Sequence, residues 1–199
     1  MIGRLLALST RLLTGGTARW RGCLPDTRQR IYFANHSSNL DFVLLWSALP
    51  AKLRRCTRPV GAQDYWSKPF RSYLARHVFH AVLIEREHVT RSNNPLTPML
   101  QALAQGDSLI IFPEGTRLSG EALGEFKPGL HHLACARPDV ELIPVFIDNL
   151  NRVLPKGEIL PVPMLCSVHF GEPVAFDPAE PKAAFLKRAR EALNNLRPK

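Results

Sequence analysis

The chain has 199 residues, 45% of them hydrophobic, with a formal net charge of +9 and a pI near 9.9. That is the length of one domain with apolar content sufficient for a core, and no polar low-complexity tract argues for disorder. The positive excess asks for an anionic partner; because the arginines are scattered and no zinc-finger spacing, RNP-like aromatic strand or helix-turn-helix signature is present, a membrane surface with anionic lipids is favoured over nucleic acid.

In chain order, the first fifteen residues predict an amphipathic helix. Ile2, Leu5, Leu6, Leu8, Leu12 and Leu13 share one broad arc, Arg4 and Arg11 lie on the other side, and Gly15-Gly16 ends the run. It is shorter than the ~20 apolar residues that span a bilayer, and Arg11 interrupts it, so an interfacial helix is expected in place of a span or a signal peptide. Thr17 to Arg30 carries Arg19, Trp20, Arg21, Arg28 and Arg30 against the single acid Asp26, a mixture suited to a lipid headgroup zone; the plain alternative is a solvated basic face. The expected division is a membrane-associating segment over 1–29 and an α/β domain over 30–199.

Ile31 to Ala34 reads as a short buried strand and Phe42 to Leu49 as an apolar helix ended by Pro50, with Trp46 in the core. A basic run, Lys52, Arg54, Arg55 and Arg58, reads as a solvated surface, with a place over lipid phosphates as the alternative. Then come a strand over Pro59 to Ala62, a helix over Trp66 to His77, and a strand over Phe79 to Ile84 with Arg86 just past its end. Arg91 to Pro95 is a loop, Leu96 to Ala104 a helix stopped by Gly106, and Ser108 to Phe112 a buried strand that halts at Pro113, which lacks the ladder donor. Leu118 to Gly124 is a loop, Phe126 to Arg137 holds a helix opened by Pro128, and Glu141 to Ile147 is a strand. A proline-punctuated loop, Leu150 to Pro163, leads to a strand over Met164 to Phe170, and Asp177-Pro178 starts a last amphipathic helix over Ala179 to Leu196. The alternation predicts a single α/β domain with a mixed central sheet flanked by helices and preceded by a short amphipathic N-terminal helix.

Cys23, Cys56, Cys135 and Cys166 are dispersed without a CxxC pair and read as the free, mostly buried thiols of a cytosolic protein. His77, His80 and His88 are near one another, yet no carboxylate and cysteine framework completes a metal site, and they read as structural or surface residues. His131 and His132 are adjacent and point different ways on a helix.

Two stretches carry chemistry. In Asn35-His36-Ser37-Ser38-Asn39-Leu40-Asp41 a histidine can take and return a proton near neutrality, and a carboxylate can fix its tautomer. Five positions on a regular helix turn through a net angle of roughly 140°, so His36 and Asp41 share no helix face; a strand, a turn and a helix opening would let them meet. In Phe112-Pro113-Glu114-Gly115-Thr116-Arg117, Gly115 permits positive φ or close backbone approach, and Arg117 offers the planar fork that suits phosphate oxygens. Taken alone this second stretch reads as a turn with a surface ion pair between Glu114 and Arg117.

In this order the two stretches resemble the HxxxxD and FPEGTR blocks of the glycerolphosphate acyltransferases, the PlsC-like 1-acyl-glycerol-3-phosphate acyltransferase branch. Val82-Leu83-Ile84-Glu85-Arg86, Phe126-Lys127-Pro128-Gly129 and Val140 to Ile147 resemble three more of its segments, so the likeness spans about 30–175. The glycine the family usually carries at the start of the second block is replaced by His80 or Ala81.

The resemblance implies transfer of an acyl group from acyl-CoA or acyl-carrier protein to the 2-hydroxyl of lysophosphatidic acid. His36 would be the general base and Asp41 its orienting group; Arg117 and Arg86 would hold the acceptor phosphate, with Glu114, Gly115 and Thr116 shaping that site. Asn35 is a candidate for either donating to the oxyanion, with nearby amides, or positioning the site. No metal or cofactor is implied, and the expected location is peripheral, on the cytoplasmic face of a membrane. The alternatives are another acceptor (a lyso-ornithine lipid, a lysophosphatidylcholine type or glycerol 3-phosphate) and a non-catalytic membrane-binding module. A lipid serine hydrolase would need a GxSxG elbow, which the sequence lacks.

Overall fold

The computed structural model describes residues 2–86, 93–117, 122–148 and 166–198. Its strands are β1 (Thr17–Trp20), β2 (Arg30–Ala34), β3 (Thr57–Ala62), β4 (Val82–Ile84), β5 (Ser108–Ile111), β6 (Glu141–Asp148) and β7 (Ser167–Phe170). The helices are α1 (Ile2–Thr14), α2 (Asp41–Ala48), α3 (Ala51–Arg54), α4 (Pro69–His77), α5 (Leu96–Ala104), α6 (Gly129–Ala136) and α7 (Lys182–Asn194). The seven strands form one mixed sheet in the order β1-β7-β6-β2-β5-β3-β4. Strands β6, β2, β5, β3 and β4 are parallel, β7 is antiparallel to β6, and β1 is parallel to β7.

The centre of the sheet is β2, Arg-Ile-Tyr-Phe-Ala, buried at all five residues as a parallel strand covered on both faces must be. Alternation divides it. Tyr32 and Ala34 join a core with Leu44, Leu45, Phe79 and Phe170, whereas Ile31 and Phe33 join one with Leu103, Leu133 and Phe185. Arg30 is tolerated in the strand because its Nε donates to Glu141 Oε2 at 2.9 Å and its Nη1 to the Leu24 carbonyl at 2.9 Å.

Several boundaries differ from expectation for identifiable reasons. The strand expected from Phe79 begins at Val82, because the amides of Phe79 and Ala81 donate to the Leu74 and Ala75 carbonyls and finish α4. Between them His80 takes φ 48°, the left-handed conformation in which a glycine carries no steric penalty. The helix expected from Trp66 starts at Pro69, since the residue before a proline is held extended, here Lys68 at ψ 140°. The same rule delays the last helix to Lys182: Asp177 Oδ1 accepts the Ala179 amide in an isolated turn, and Pro181 is the extended N-cap. Thr17 to Trp20, read as a basic headgroup segment, adds an edge strand, and Trp20 stacks on Phe170 with centroids 3.9 Å apart. His88, the loop 150–163 and parts of the loops 91–95 and 118–124 lie outside the described residues.

Helix α1 is turned opposite to an ordinary surface helix. Ala7 and Thr14 are buried, and a Cβ added at Gly3 would lie 3.2 Å from Trp46. Leu5, Leu8 and Leu12 are 67%, 56% and 76% exposed. Arg11, expected on a solvated side, donates from Nε to the Ser47 carbonyl at 2.9 Å and from Nη2 towards those of Ala48 and Leu49, satisfying carbonyls that the end of α2 leaves open. No helix among the described residues is long and apolar enough to cross a membrane.

Candidate active site

Because five neighbouring strands point the same way, their carboxyl ends line one edge of the sheet, where α/β folds keep their ligand crevices. Asn35 and His36 follow β2, Phe112 to Arg117 follow β5, and Glu85 and Arg86 follow β4. The two stretches that stand some seventy residues apart in the chain therefore meet across one strand pair.

His36 leaves the strand and Asp41 opens α2, so the pair closes through a turn. His36 Nδ1 lies 2.7 Å from Asp41 Oδ2, and that oxygen also accepts the amides of Ser37 and Ser38, each at 2.7 Å. An oxygen taking these donors carries no proton, so Nδ1 bears the hydrogen and Nε2 is left as the basic nitrogen. Asp41 is fully buried and His36 partly exposed. The imidazole also stacks on Phe112, centroids 4.4 Å apart at 24°, which restricts its ring.

Glu114 forms no ion pair with Arg117. It is buried, its Oε1 accepting the His36 amide at 2.9 Å and its Oε2 the Gly124 amide at 2.8 Å. It braces the histidine turn against the turn after β5. Asn35 is likewise engaged with backbone: its Nδ2 donates to the Ile147 carbonyl at 3.0 Å and its Oδ1 accepts the Ile147 amide at 2.7 Å. It extends the pairing of β2 with β6 and is not among the residues bordering the cavity, a placement that matches the positioning alternative.

The cationic residues occupy the other half. Arg117 donates from Nη1 to Asn39 Oδ1 at 2.8 Å. Arg86 donates from Nη1 to the Gly115 carbonyl at 3.3 Å and approaches exposed Asp64 at 3.5 Å. Gly115 takes φ 69°, and Thr116 is exposed beside it. These residues and His36 border a cavity of about 890 Å³. Its apolar walls come from both cores, Phe42 and Trp66 on one side of the sheet and Met99, Leu130 and Leu133 on the other. Phe112, Asn39 and Lys127 border the cavity too without having been singled out from the sequence. Each had a signal there: Asn39 lies inside the HxxxxD stretch, Phe112 opens FPEGTR, and Lys127 belongs to the Phe-Lys-Pro-Gly segment.

An oriented imidazole at the carboxyl edge of a parallel sheet, beside a cavity with a cationic rim and apolar walls, is an arrangement capable of general-base chemistry on an amphiphile. The Acyltransferase family model matches residues 21–148, and the chain belongs to that family. It is 28% identical over 182 residues to the 1-acyl-sn-glycerol-3-phosphate acyltransferase alpha of Mus musculus, covering 89% of this chain and 62% of the relative. It is 31% identical over 129 residues to the 1-acyl-sn-glycerol-3-phosphate acyltransferase of Haemophilus influenzae, covering 61% of this chain and 51% of the relative. The chain thus spans between half and two thirds of these relatives. The fold resembles the crystal structure of the 1-acyl-sn-glycerophosphate (LPA) acyltransferase PlsC from Thermotoga maritima, with a TM-score of 0.77 at 21% identity over 98% of this chain and 77% of that one.

Proposed function

We propose that the protein transfers a fatty acyl group from an acyl thioester to the 2-hydroxyl of 1-acyl-glycerol 3-phosphate, making phosphatidic acid for phospholipid biosynthesis. The observation that carries this reading is the 2.7 Å contact of His36 Nδ1 with buried Asp41 at the border of a cavity that is cationic at its rim and apolar in its walls. The names of the curated relatives support the same acceptor.

In this reading His36 Nε2 takes the proton of the acceptor hydroxyl as its oxygen attacks the thioester carbonyl. The tetrahedral intermediate collapses with cleavage of the carbon–sulfur bond, and the proton passes from His36 to the departing thiolate. Asp41 keeps Nδ1 protonated and offsets the positive charge the ring acquires. Arg117 and Arg86 hold the acceptor phosphate, with Gly115 and Thr116 at its border. The donor is acyl-CoA or acyl-carrier protein, used as a substrate, and no metal or cofactor takes part.

The protein works at a membrane surface, peripherally and on the cytoplasmic face, with anionic lipids meeting its basic side. The outward leucines of α1 support this, since their exposed apolar arc has no acidic neighbour in the helix.

The test is incubation of purified protein in detergent or liposomes with lysophosphatidic acid and palmitoyl-CoA, following phosphatidic acid and free thiol, with a His36→Ala control. Product from the wild type alone is expected. Absence of product from CoA and carrier-protein donors alike overturns the reading, and product from a different lyso-lipid alone changes the acceptor.

A further inference from the structure

We propose that Lys127 is a third cation of this site and sets its preference for an acceptor that carries a phosphate monoester. The inference rests on the acyl-transfer reading above and goes beyond it in naming the residue that selects the headgroup.

The first ground is how Lys127 is held. Its amide donates to the Pro113 carbonyl at 2.8 Å, tying it to the turn after β5. Its side chain then crosses the bare face of Gly115 and lines the cavity. A Cβ placed on Gly115 would stand 2.8 Å from Lys127 Cδ and Cε and 2.9 Å from Nζ. The absence of a side chain at Gly115 thus seats the lysine as well as permitting the turn.

The second ground is charge. The acids near the site have partners: Asp41 has His36 and two amides, Glu114 the amides of His36 and Gly124, Asp64 the side chain of Arg86, and Glu85, which lines the cavity, the backbone amide of Arg86 at 2.8 Å. Among the described residues Arg117 meets only the neutral side chain of Asn39, and no carboxylate lies within ion-pair distance of Lys127. Arg117 and Lys127 thus border one cavity with no carboxylate paired to either among the described residues, and a bound anion would offset their charge. A phosphate monoester brings roughly two negative charges near neutral pH, matching the pair. The planar fork of Arg117 can take two phosphate oxygens while the rotatable ammonium of Lys127 takes a third.

The experiment compares lysophosphatidic acid with monoacylglycerol of the same chain length as acceptors for wild type, Lys127→Ala, Lys127→Met and Lys127→Arg, with acyl-CoA as donor. Met keeps most of the stem over Gly115 and removes only the charge. We expect Ala and Met to raise KM for lysophosphatidic acid about tenfold, as loss of a charge-assisted hydrogen bond does, with kcat and the donor KM changed by less than about twofold. Arg should restore most of the loss, and the preference for the phosphate acceptor over the neutral one should fall with the charge. An unchanged KM in both uncharged variants overturns the proposal. So does a wild-type KM in Met with a raised one in Ala, which assigns Lys127 to packing, or a rise confined to the donor KM, which assigns it to the donor's phosphates. Wild-type turnover tests the reaction itself; should it fail, calorimetric titration of the same proteins with the two acceptors in micelles reads the headgroup preference directly.

Discussion

The two halves of the site are built in opposite ways. In the half that would handle the proton, Asp41, Glu114 and Asn35 are buried, and each carboxylate or amide meets backbone groups at 2.7 to 3.0 Å. In the cationic half, Arg86, Thr116 and Lys127 are exposed, the guanidinium of Arg86 makes contacts of 3.3 and 3.5 Å, and that of Arg117 has one bond, to Asn39 at 2.8 Å. Base catalysis needs one atom held within a few tenths of an ångström, which only a satisfied, buried network provides. A charged headgroup arriving from a bilayer needs reach, which long side chains at a rim supply. Damage to the first half should therefore appear in kcat, and damage to the second in KM.

The largest effect is expected at the dyad. His36→Ala should lower kcat by about 10² to 10⁴-fold, the range of a positioned general base. Asp41→Asn should lower it by about 10²-fold, because a neutral amide no longer offsets the positive charge that the imidazole acquires as it takes the proton. Steady-state kinetics with a melting curve for each variant checks both, and a change in KM alone would break the division. At the rim, Arg117→Ala should raise the acceptor KM by about tenfold or more, with a smaller change in kcat. If kcat and KM exchange roles between these variants, the two halves do not work separately.

The sequence exposed the dyad more clearly than the brace. HxxxxD and FPEGTR announce themselves by residue type, and a strand followed by a helix opening brings His36 to Asp41 without tertiary information. Glu114 reads differently from the chain alone: its proximity to Arg117 suggests an ion pair, whereas its true partners are amides 78 and 10 residues away. Nothing local encodes such a choice. The same limit applies to α1 and α7, which have 13 residues each and similar apolar periodicity. Helix α7 buries Phe185 and Leu193, while α1 presents its leucines outward and buries Ala7. Periodicity defines two faces of a helix; which one turns inward depends on what the rest of the chain leaves uncovered.

Glu114→Gln sharpens the comparison from the stability side. One buried amide, His36 or Gly124, would lose its acceptor, at a cost of about 1–3 kcal/mol in denaturant unfolding along with a lower kcat. A variant as stable as the wild type would show that the brace is replaceable. For α1, changing Leu5, Leu8 and Leu12 together to serine should leave melting nearly unchanged, since all three are exposed, but weaken binding to vesicles containing phosphatidylglycerol by about tenfold or more. Equal vesicle binding would remove α1 from the membrane reading. Deletion of the helix is a poorer test, because it also uncovers Trp46 and takes away Arg11 from the end of α2.

The smallest effect separates a working imidazole from a packed one. His169 on β7 is buried outside the cavity, with Nε2 2.7 Å from Ser167 Oγ and no partner for Nδ1 among the described residues. Burial pushes its pKa below the ordinary value, helped by Arg21 and Arg19 and opposed by Asp148. The unfolded chain then binds this proton more readily than the folded one. Stability from this group is therefore complete above the unfolded value of about 6.5 and is lost as pH falls from there through the lower folded value. Melting temperature should fall across that acidic window in the wild type and fall less steeply in His169→Gln, whereas kcat at each pH where both are folded should agree between them. A matching slope in the two proteins would show that His169 gains its proton without cost, and a changed kcat would tie β7 to the chemistry that follows β2, two strands away.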